Sequence, residues 1–95
     1  MSWPERFDAD VTNGCIHIQR EFQRLLKQSS PTGSPGVIEW YGLEEGRSLL
    51  IFTTTVDRAR ESVEFTREQA RSCAQGAVPE GVRAILRRLV RRLIA

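Results

Sequence analysis

The segment Ser48–Val56, with the sequence SLLIFTTTV, is the longest β-prone run of the chain, because β-branched and aromatic residues fill most of it. A second such run, Val37–Leu43 (VIEWYGL), precedes it, and a third, Ala59–Phe65 (ARESVEF), follows it. Two short segments with turn-forming residues, Glu44-Glu45-Gly46 and Asp57-Arg58, separate the three runs. This spacing predicts a three-stranded antiparallel meander.

Helical spacing precedes the strands. Near the N-terminus, apolar residues recur at three- and four-residue steps, which predicts a helix over 12–28. The residues of this stripe are Val11, Cys15, Ile18, Phe22 and Leu25. The pair Asn13-Gly14 is also a hairpin signal, so a strand over Cys15–Ile18 is the alternative.

Two helices are predicted after the strands. The sequence Thr66–Gln69 has the capping-box pattern T-x-x-Q, which starts a short helix that continues to about Ala74 and ends at Gly76. Val78-Pro79-Glu80 then starts a helix that runs to the C-terminus. The fold class is therefore α+β in the order α-β-β-β-α-α, a meander packed by an N-terminal helix and a C-terminal helix pair.

The length of 95 residues and the composition, 40% hydrophobic and 27% charged, indicate a single domain over 1–95. Residues 1–10 are predicted to form an N-terminal arm anchored by Trp3 and Phe7. Residues 29–36, rich in Ser, Pro and Gly, are predicted to form a flexible loop. The sequence has neither a signal peptide nor the ~18 apolar residues that span a bilayer, so we expect a cytoplasmic protein with no membrane partner.

Chemically reactive residues do not form a catalytic pattern. The two cysteines, Cys15 and Cys73, are far apart in the sequence, His17 is the single histidine, and no nucleophile, metal-binding or phosphate-loop motif is present. Cys15 and His17 are two positions apart and would point to different sides of a helix. We expect two reduced, buried thiols, no catalytic residue, no metal, no cofactor and no small-molecule substrate.

The C-terminal helix has five arginines and no acidic residue between positions 81 and 95, whereas residues 1–80 have a net charge of −3. The arginines are Arg83, Arg87, Arg88, Arg91 and Arg92. Its predicted apolar stripe consists of Val82, Ile85, Leu86, Leu89, Leu93 and Ile94. The arginines either pair with acids of the same chain, such as Glu39, Glu61 or Glu64, or bind an anionic partner.

The two faces of the predicted meander differ, because successive side chains of a strand point to opposite faces. One face collects a predicted core of Ile38, Trp40, Leu50, Phe52, Val56, Val63 and Phe65. The other face carries four apolar residues among polar ones: Val37, Tyr41, Leu49 and Ile51. Because a face open to water should be more polar, we expect the arm, a helix or a second copy of the chain to cover it.

These features favour a small, non-catalytic binding or regulatory module that acts through protein–protein contacts with itself, as a homodimer, or with an acidic protein. In the dimer, Val37, Tyr41, Leu49 and Ile51 form the interface. Glu39 and Glu64 would lie at its rim, within reach of the arginines of the partner helix. The alternative is a nucleic-acid-binding protein that places the arginines of the C-terminal helix on phosphates. The negative body and the lack of aromatic residues among the arginines argue against this alternative.

Overall fold

The computed structural model describes residues 9–30, 35–42, 49–56 and 58–94. Its elements, in chain order, are α1 (Ala9–Ser29), β1 (Pro35–Tyr41), β2 (Leu49–Val56), β3 (Ala59–Thr66), α2 (Arg67–Ser72) and α3 (Glu80–Ile94). The three strands form one antiparallel sheet in the order β1-β2-β3. The predicted α+β class and the element order are confirmed.

The ends of two predicted segments are corrected. Helix α1 begins at Ala9, so Ala9 and Asp10 belong to the helix and not to the arm. The negative charge of Asp10 in the first turn interacts favourably with the positive end of the helix dipole. At the other end, Ser29 is still helical, and the predicted loop loses Pro35 and Gly36 to β1. Proline is compatible with this position because β1 is an edge strand. Residues 1–8 of the predicted arm, loop residues 31–34 and the Glu44–Gly46 turn lie outside the described residues.

Side-chain and backbone caps determine where α2 starts and stops. The Thr66 hydroxyl accepts a hydrogen bond from the Gln69 amide at 3.0 Å, and the Gln69 side chain accepts one from the Thr66 amide at 2.8 Å. This is the predicted capping box. The helix ends at Ser72, two residues earlier than predicted, and Gly76 takes a φ of +97°, which favours glycine.

The helices pack on one face of the sheet through an aromatic cluster. The ring of Phe22 in α1 meets Phe52 in β2 edge-on, with centroids 5.3 Å apart. Trp40 in β1 lies 5.0 Å from Phe52 and 6.0 Å from Phe65, and its indole Nε1 donates to Gln19 Oε1 at 3.4 Å. The predicted core face of the sheet is therefore the face that α1 and α3 cover.

The buried stripe of α3 differs from the predicted one at two positions. It consists of Val82, Leu86, Leu89, Val90 and Leu93, with Ile85 packed at its margin. Val90 is buried, whereas Ile94 is 41% exposed, because helical periodicity places Val90 within the stripe and Ile94 at its edge. In α1, all of the predicted stripe is buried.

Helices α1 and α2 approach each other at Gly14. A Cβ atom at this position would lie only 1.6 Å from the carbonyl oxygen of Ala70. The contact is therefore one of backbone against backbone, and it permits α2 to pack directly on α1.

On the core face of the sheet, the hydroxyl oxygen of Thr54 is buried and has no hydrogen-bond partner among the described residues. The side chain lies in the central strand between Ile38 and Glu61, and the residue is only 1% exposed. Because the unpaired hydroxyl has lost water without compensation, Thr54→Val should stabilise the fold by about 1 kcal/mol. Urea unfolding of the two proteins measures this difference. A loss of stability would mean that the hydroxyl is bonded in solution.

Candidate interaction surfaces

The face of the sheet opposite the helices is the first candidate surface, here called the open face. Strand alternation and register assign to it Glu39, Tyr41, Ile51, Thr53, Thr55, Arg60, Ser62 and Glu64. The register also places Val37 and Leu49 on this face, but their side chains lie outside the described residues. Because the three described helices cover the other face, none of them is the cover of the open face, which leaves the arm or a second copy among the predicted alternatives.

Tyr41 and Ile51 are neighbours on the open face, and they are the two residues of the predicted apolar patch whose side chains are described. Tyr41 is 45% exposed, and Ile51 is partly buried. The Tyr41 hydroxyl donates to Glu39 Oε2 at 2.8 Å, and this bond to the carboxylate is the main reason why the pKa of Tyr41 is raised. Glu39 and Tyr41 are two residues apart on β1, so this bond links their side chains along the edge strand.

Polar pairs link the three strands across the same face. Thr53 and Ser62 share a hydrogen bond of 2.9 Å between their hydroxyl oxygens. Arg60 approaches Glu39 at 3.9 Å across the central strand. Among the described side chains, the face therefore combines a hydrogen-bonded polar middle with Tyr41, Ile51 and Glu64 at one end and Thr55 and Arg60 at the other.

The five arginines of α3, the second candidate site, divide into two groups. Arg83 and Arg87 pair within the chain, but with other acids than those predicted. Arg83 Nε lies 2.6 Å from Glu21 of α1, and Arg87 lies 2.5 Å from Glu80 at the start of α3. Arg83 also approaches Glu80 at 3.7 Å.

Arg88, Arg91 and Arg92 form the second group, here called the outer arginine face. All three are exposed, and no ion pair or hydrogen bond to another described residue holds them. Helical periodicity places Arg88 and Arg91 opposite the buried stripe of α3 and Arg92 at its flank, so all three point away from the core. Glu39 and Glu64, which lie on the open face, are therefore on the other side of the molecule.

Glu21 is the central charge between the helices, and the sequence analysis does not single it out. Its side chain is 9% exposed and accepts hydrogen bonds from Arg24 of α1, at 2.5 and 2.8 Å, and from Arg83 of α3. Mainly because of the Arg24 bonds, the pKa of Glu21 is lowered to about 2 although burial opposes this. The carboxylate thus joins α1 and α3 through charge-assisted hydrogen bonds.

The positive charge of the protein is concentrated in its helices. Together α1, α2 and α3 carry ten basic and four acidic side chains, a net charge of +6, whereas the whole chain has a net charge of +2. The sequence suggested an acidic body with a basic C-terminal helix. In the fold, α1 and α2 are each net positive as well as α3, so the positive charge belongs to the helix layer as a whole.

The candidate reactive groups are buried or separated. Cys15 and Cys73 are free and buried, as predicted. Burial raises the pKa of the Cys15 thiol to about 12 and also raises the pKa of Cys73, which disfavours the reactive thiolate of both. His17 lies on another side of α1, where its ring faces Gly76. The described residues include no group of three or more His, Cys, Asp or Glu side chains that could hold a metal ion.

Comparisons with known proteins assign no family to this arrangement. No protein-family model matches the chain, and neither a curated protein nor a solved structure matches it. Within the described segments, none of the helices combines the length and the apolar character needed to cross a membrane.

Proposed function

We propose that this protein is a small, non-catalytic interaction module that forms a homodimer through the open face of its sheet. The observation that carries the proposal is the position of Tyr41 and Ile51, on a face that the helices leave uncovered. Burying a large apolar side chain contributes roughly 1.5–3 kcal/mol, so covering this patch is favourable. A second copy of the chain, packed open face to open face, can cover the patch of each protomer with residues of its own open face.

The state of the titratable groups supports a role without catalysis. Enzymes place a nucleophile beside a base, or shift a carboxyl or thiol pKa toward neutrality. Here the pKa of Cys15 is raised, away from neutrality. The pKa of Glu21 is lowered, mainly by its hydrogen bonds from Arg24 and also by those from Arg83. Both pKa shifts favour the form that each group has at neutral pH, which is an uncharged thiol for Cys15 and an ionised, paired carboxylate for Glu21.

The charges of the open face are complementary to those of a second copy. Arg60 and Glu64 lie on β3 at equal distances from Ser62, about 13 Å apart. A two-fold axis that runs across the strands near Ser62 places each Arg60 opposite the partner's Glu64, so the pair forms twice. The same axis brings Glu39 near its own copy, where Tyr41 and Arg60 of each protomer contact it.

The fold changes one feature of the dimer that the sequence suggested. Because Arg88, Arg91 and Arg92 point away from the core, they lie on the outside of this dimer and not at its rim. The interface is also small: three strands about 4.8 Å apart and about seven residues long make a face of roughly 15 by 23 Å. Standard interfaces bury about 800 Å² per partner, so we expect a dissociation constant in the micromolar range.

Ile51→Glu is the direct test of this interface. It places a charge in the middle of the patch, opposite another copy, and should weaken the dimer at least about a hundredfold because a buried unpaired carboxylate is costly. Sedimentation velocity across the micromolar range, with circular dichroism to verify folding, gives the result. Gln23→Glu adds the same charge on the exposed side of α1 and should leave the dimer intact.

Charge exchange tests the orientation of the two copies. Arg60→Glu and Glu64→Arg should each weaken the dimer, and the double variant should recover much of the loss because the exchanged pair forms again across the axis. High salt should weaken the dimer less than Ile51→Glu does, since apolar contact is not screened. A wild-type protein that stays monomeric across this concentration range would overturn the proposal.

A further inference from the structure

The outer arginine face is a charged surface for which the fold provides no partner. Arg83 and Arg87 have acids within the chain, whereas Arg88, Arg91 and Arg92 have none among the described residues. Like charges three and four residues apart destabilise a helix. Three unpaired arginines close together therefore carry a cost that an external anion would remove.

The chemistry of the surrounding surface decides which anion fits. A protein interface normally needs an apolar or aromatic anchor at its centre. Here Gly81 and Ala84 precede the arginines on the exposed side of α3, and the exposed Ile94 lies at the end of the helix and not at the centre of the face. A membrane-binding helix needs its apolar stripe, and that of α3 is buried in the core. A sugar–phosphate backbone needs only positive charge and donors in a planar fork, which arginine supplies.

We propose that the outer arginine face binds the phosphate backbone of a nucleic acid. Arg88 to Arg92 span about 6 Å along the helix axis, and duplex DNA carries one charge per about 1.7 Å of its axis, so several phosphates lie within reach. The net charge of +6 on the three helices attracts a polyanion to the helix layer. Binding of this kind is independent of sequence, because phosphate contacts carry no base information.

A second step rests on the proposed dimer. The open face and the outer arginine face lie on opposite sides of one protomer, so a dimer through the open face presents two arginine faces in opposite directions. Such a dimer joins two nucleic-acid segments and does not clamp a single one.

Binding is measured by fluorescence anisotropy with a short labelled DNA duplex between about 50 and 200 mM salt. Neutralising three phosphates gives a log–log salt slope near −2.7 for each arginine face. Arg88→Gln with Arg91→Gln should weaken binding at least about tenfold and make the slope about 1.8 less steep. Arg58→Glu, in the turn before β3, changes the net charge by the same amount and should have a much smaller effect.

Three results would overturn phosphate binding. The first is no binding at low salt, and the second is an equal loss in the Arg58→Glu control, which would show a response to net charge alone. The third is binding to vesicles that contain phosphatidylserine, or to polyglutamate, but not to the duplex, which would assign the face to another partner. Circular dichroism of each variant verifies that the helix is retained.

Bridging is measured separately by capture of a fluorescent duplex on beads that carry a second, biotinylated duplex. The wild-type protein should capture it, and Ile51→Glu should bind each duplex but capture little. If the protein binds DNA as a monomer, the homodimer fails while phosphate binding stands. If a dimer binds DNA but captures none, the opposed arrangement of the two arginine faces is wrong.

Discussion

Gly14→Ala should destabilise the protein by at least about 3 kcal/mol, a large part of the ~5–15 kcal/mol that stabilises a typical domain. In an isolated helix the change would be favourable by about 1 kcal/mol. Here the new methyl group would lie 1.6 Å from the Ala70 carbonyl oxygen, so α1 and α2 must separate. The shift also disturbs Cys15 and Cys73, which are buried in the same part of the core. Urea unfolding at neutral pH gives the free energy.

Two further variants isolate the cause. Gly81→Ala makes the same substitution in α3, where nothing lies within 4 Å, and should stabilise by about 0.5 kcal/mol. Ala70→Gly should not rescue Gly14→Ala, because the clash is with a backbone atom and not with the Ala70 methyl group. A Gly14→Ala protein within 1 kcal/mol of the wild type would contradict this helix crossing.

The same glycine shows where the sequence alone is ambiguous. Asn13-Gly14 is a strong local hairpin signal, whereas the stripe from Val11 to Leu25 has helical spacing. Burial of the whole stripe against the sheet and α2 outweighs the local preference of two residues. The need for glycine itself comes from Ala70, 56 positions later in the chain, and no local pattern indicates such a contact.

The surfaces were predictable to different degrees. Strand alternation assigns Tyr41 and Ile51 to the open face, because their orientation depends only on local backbone geometry. The division of the five arginines was not predictable, since it depends on how α3 lies against α1. One sequence signal could have identified Glu21 as a functional residue. It is three residues after Ile18 and four before Leu25, which places an acid at the edge of a buried stripe.

The distribution of charge also depends on how the helices pack against each other. Counted along the chain, the positive charge belongs to the last fifteen residues. In the fold, α3 lies beside α1, whose Arg24 shares Glu21 with Arg83, so the basic side chains of two distant segments become neighbours. Charge in a folded domain therefore has to be counted by layer, because packing brings together residues that the sequence separates.

Glu21→Gln should lower the free energy of unfolding by on the order of 2–3 kcal/mol at pH 7. The substitution keeps the size of the side chain but removes the charge that Arg24 and Arg83 contact. The lost stability is smaller than for a fully buried ion pair. The Arg83 side chain is one-third exposed, so water can solvate its charge when the carboxylate is removed. Glu68→Gln, at an exposed position of α2, should change stability by less than about 0.5 kcal/mol.

The pH dependence identifies the carboxylate as the cause. The pKa of Glu21 falls from its usual 4.5 to about 2 on folding, so its ionised form contributes stability above about pH 5 and loses it as the pH falls toward 2. The difference between the wild type and Glu21→Gln should therefore shrink by about half by pH 3, since the other carboxyls titrate alike in both proteins. A double-mutant cycle with Arg83→Gln should give a coupling energy of about 1 kcal/mol or more across the two helices. A difference that stays constant between pH 7 and pH 3, with no coupling to Arg83, would mean that Glu21 acts through packing and not through its charge.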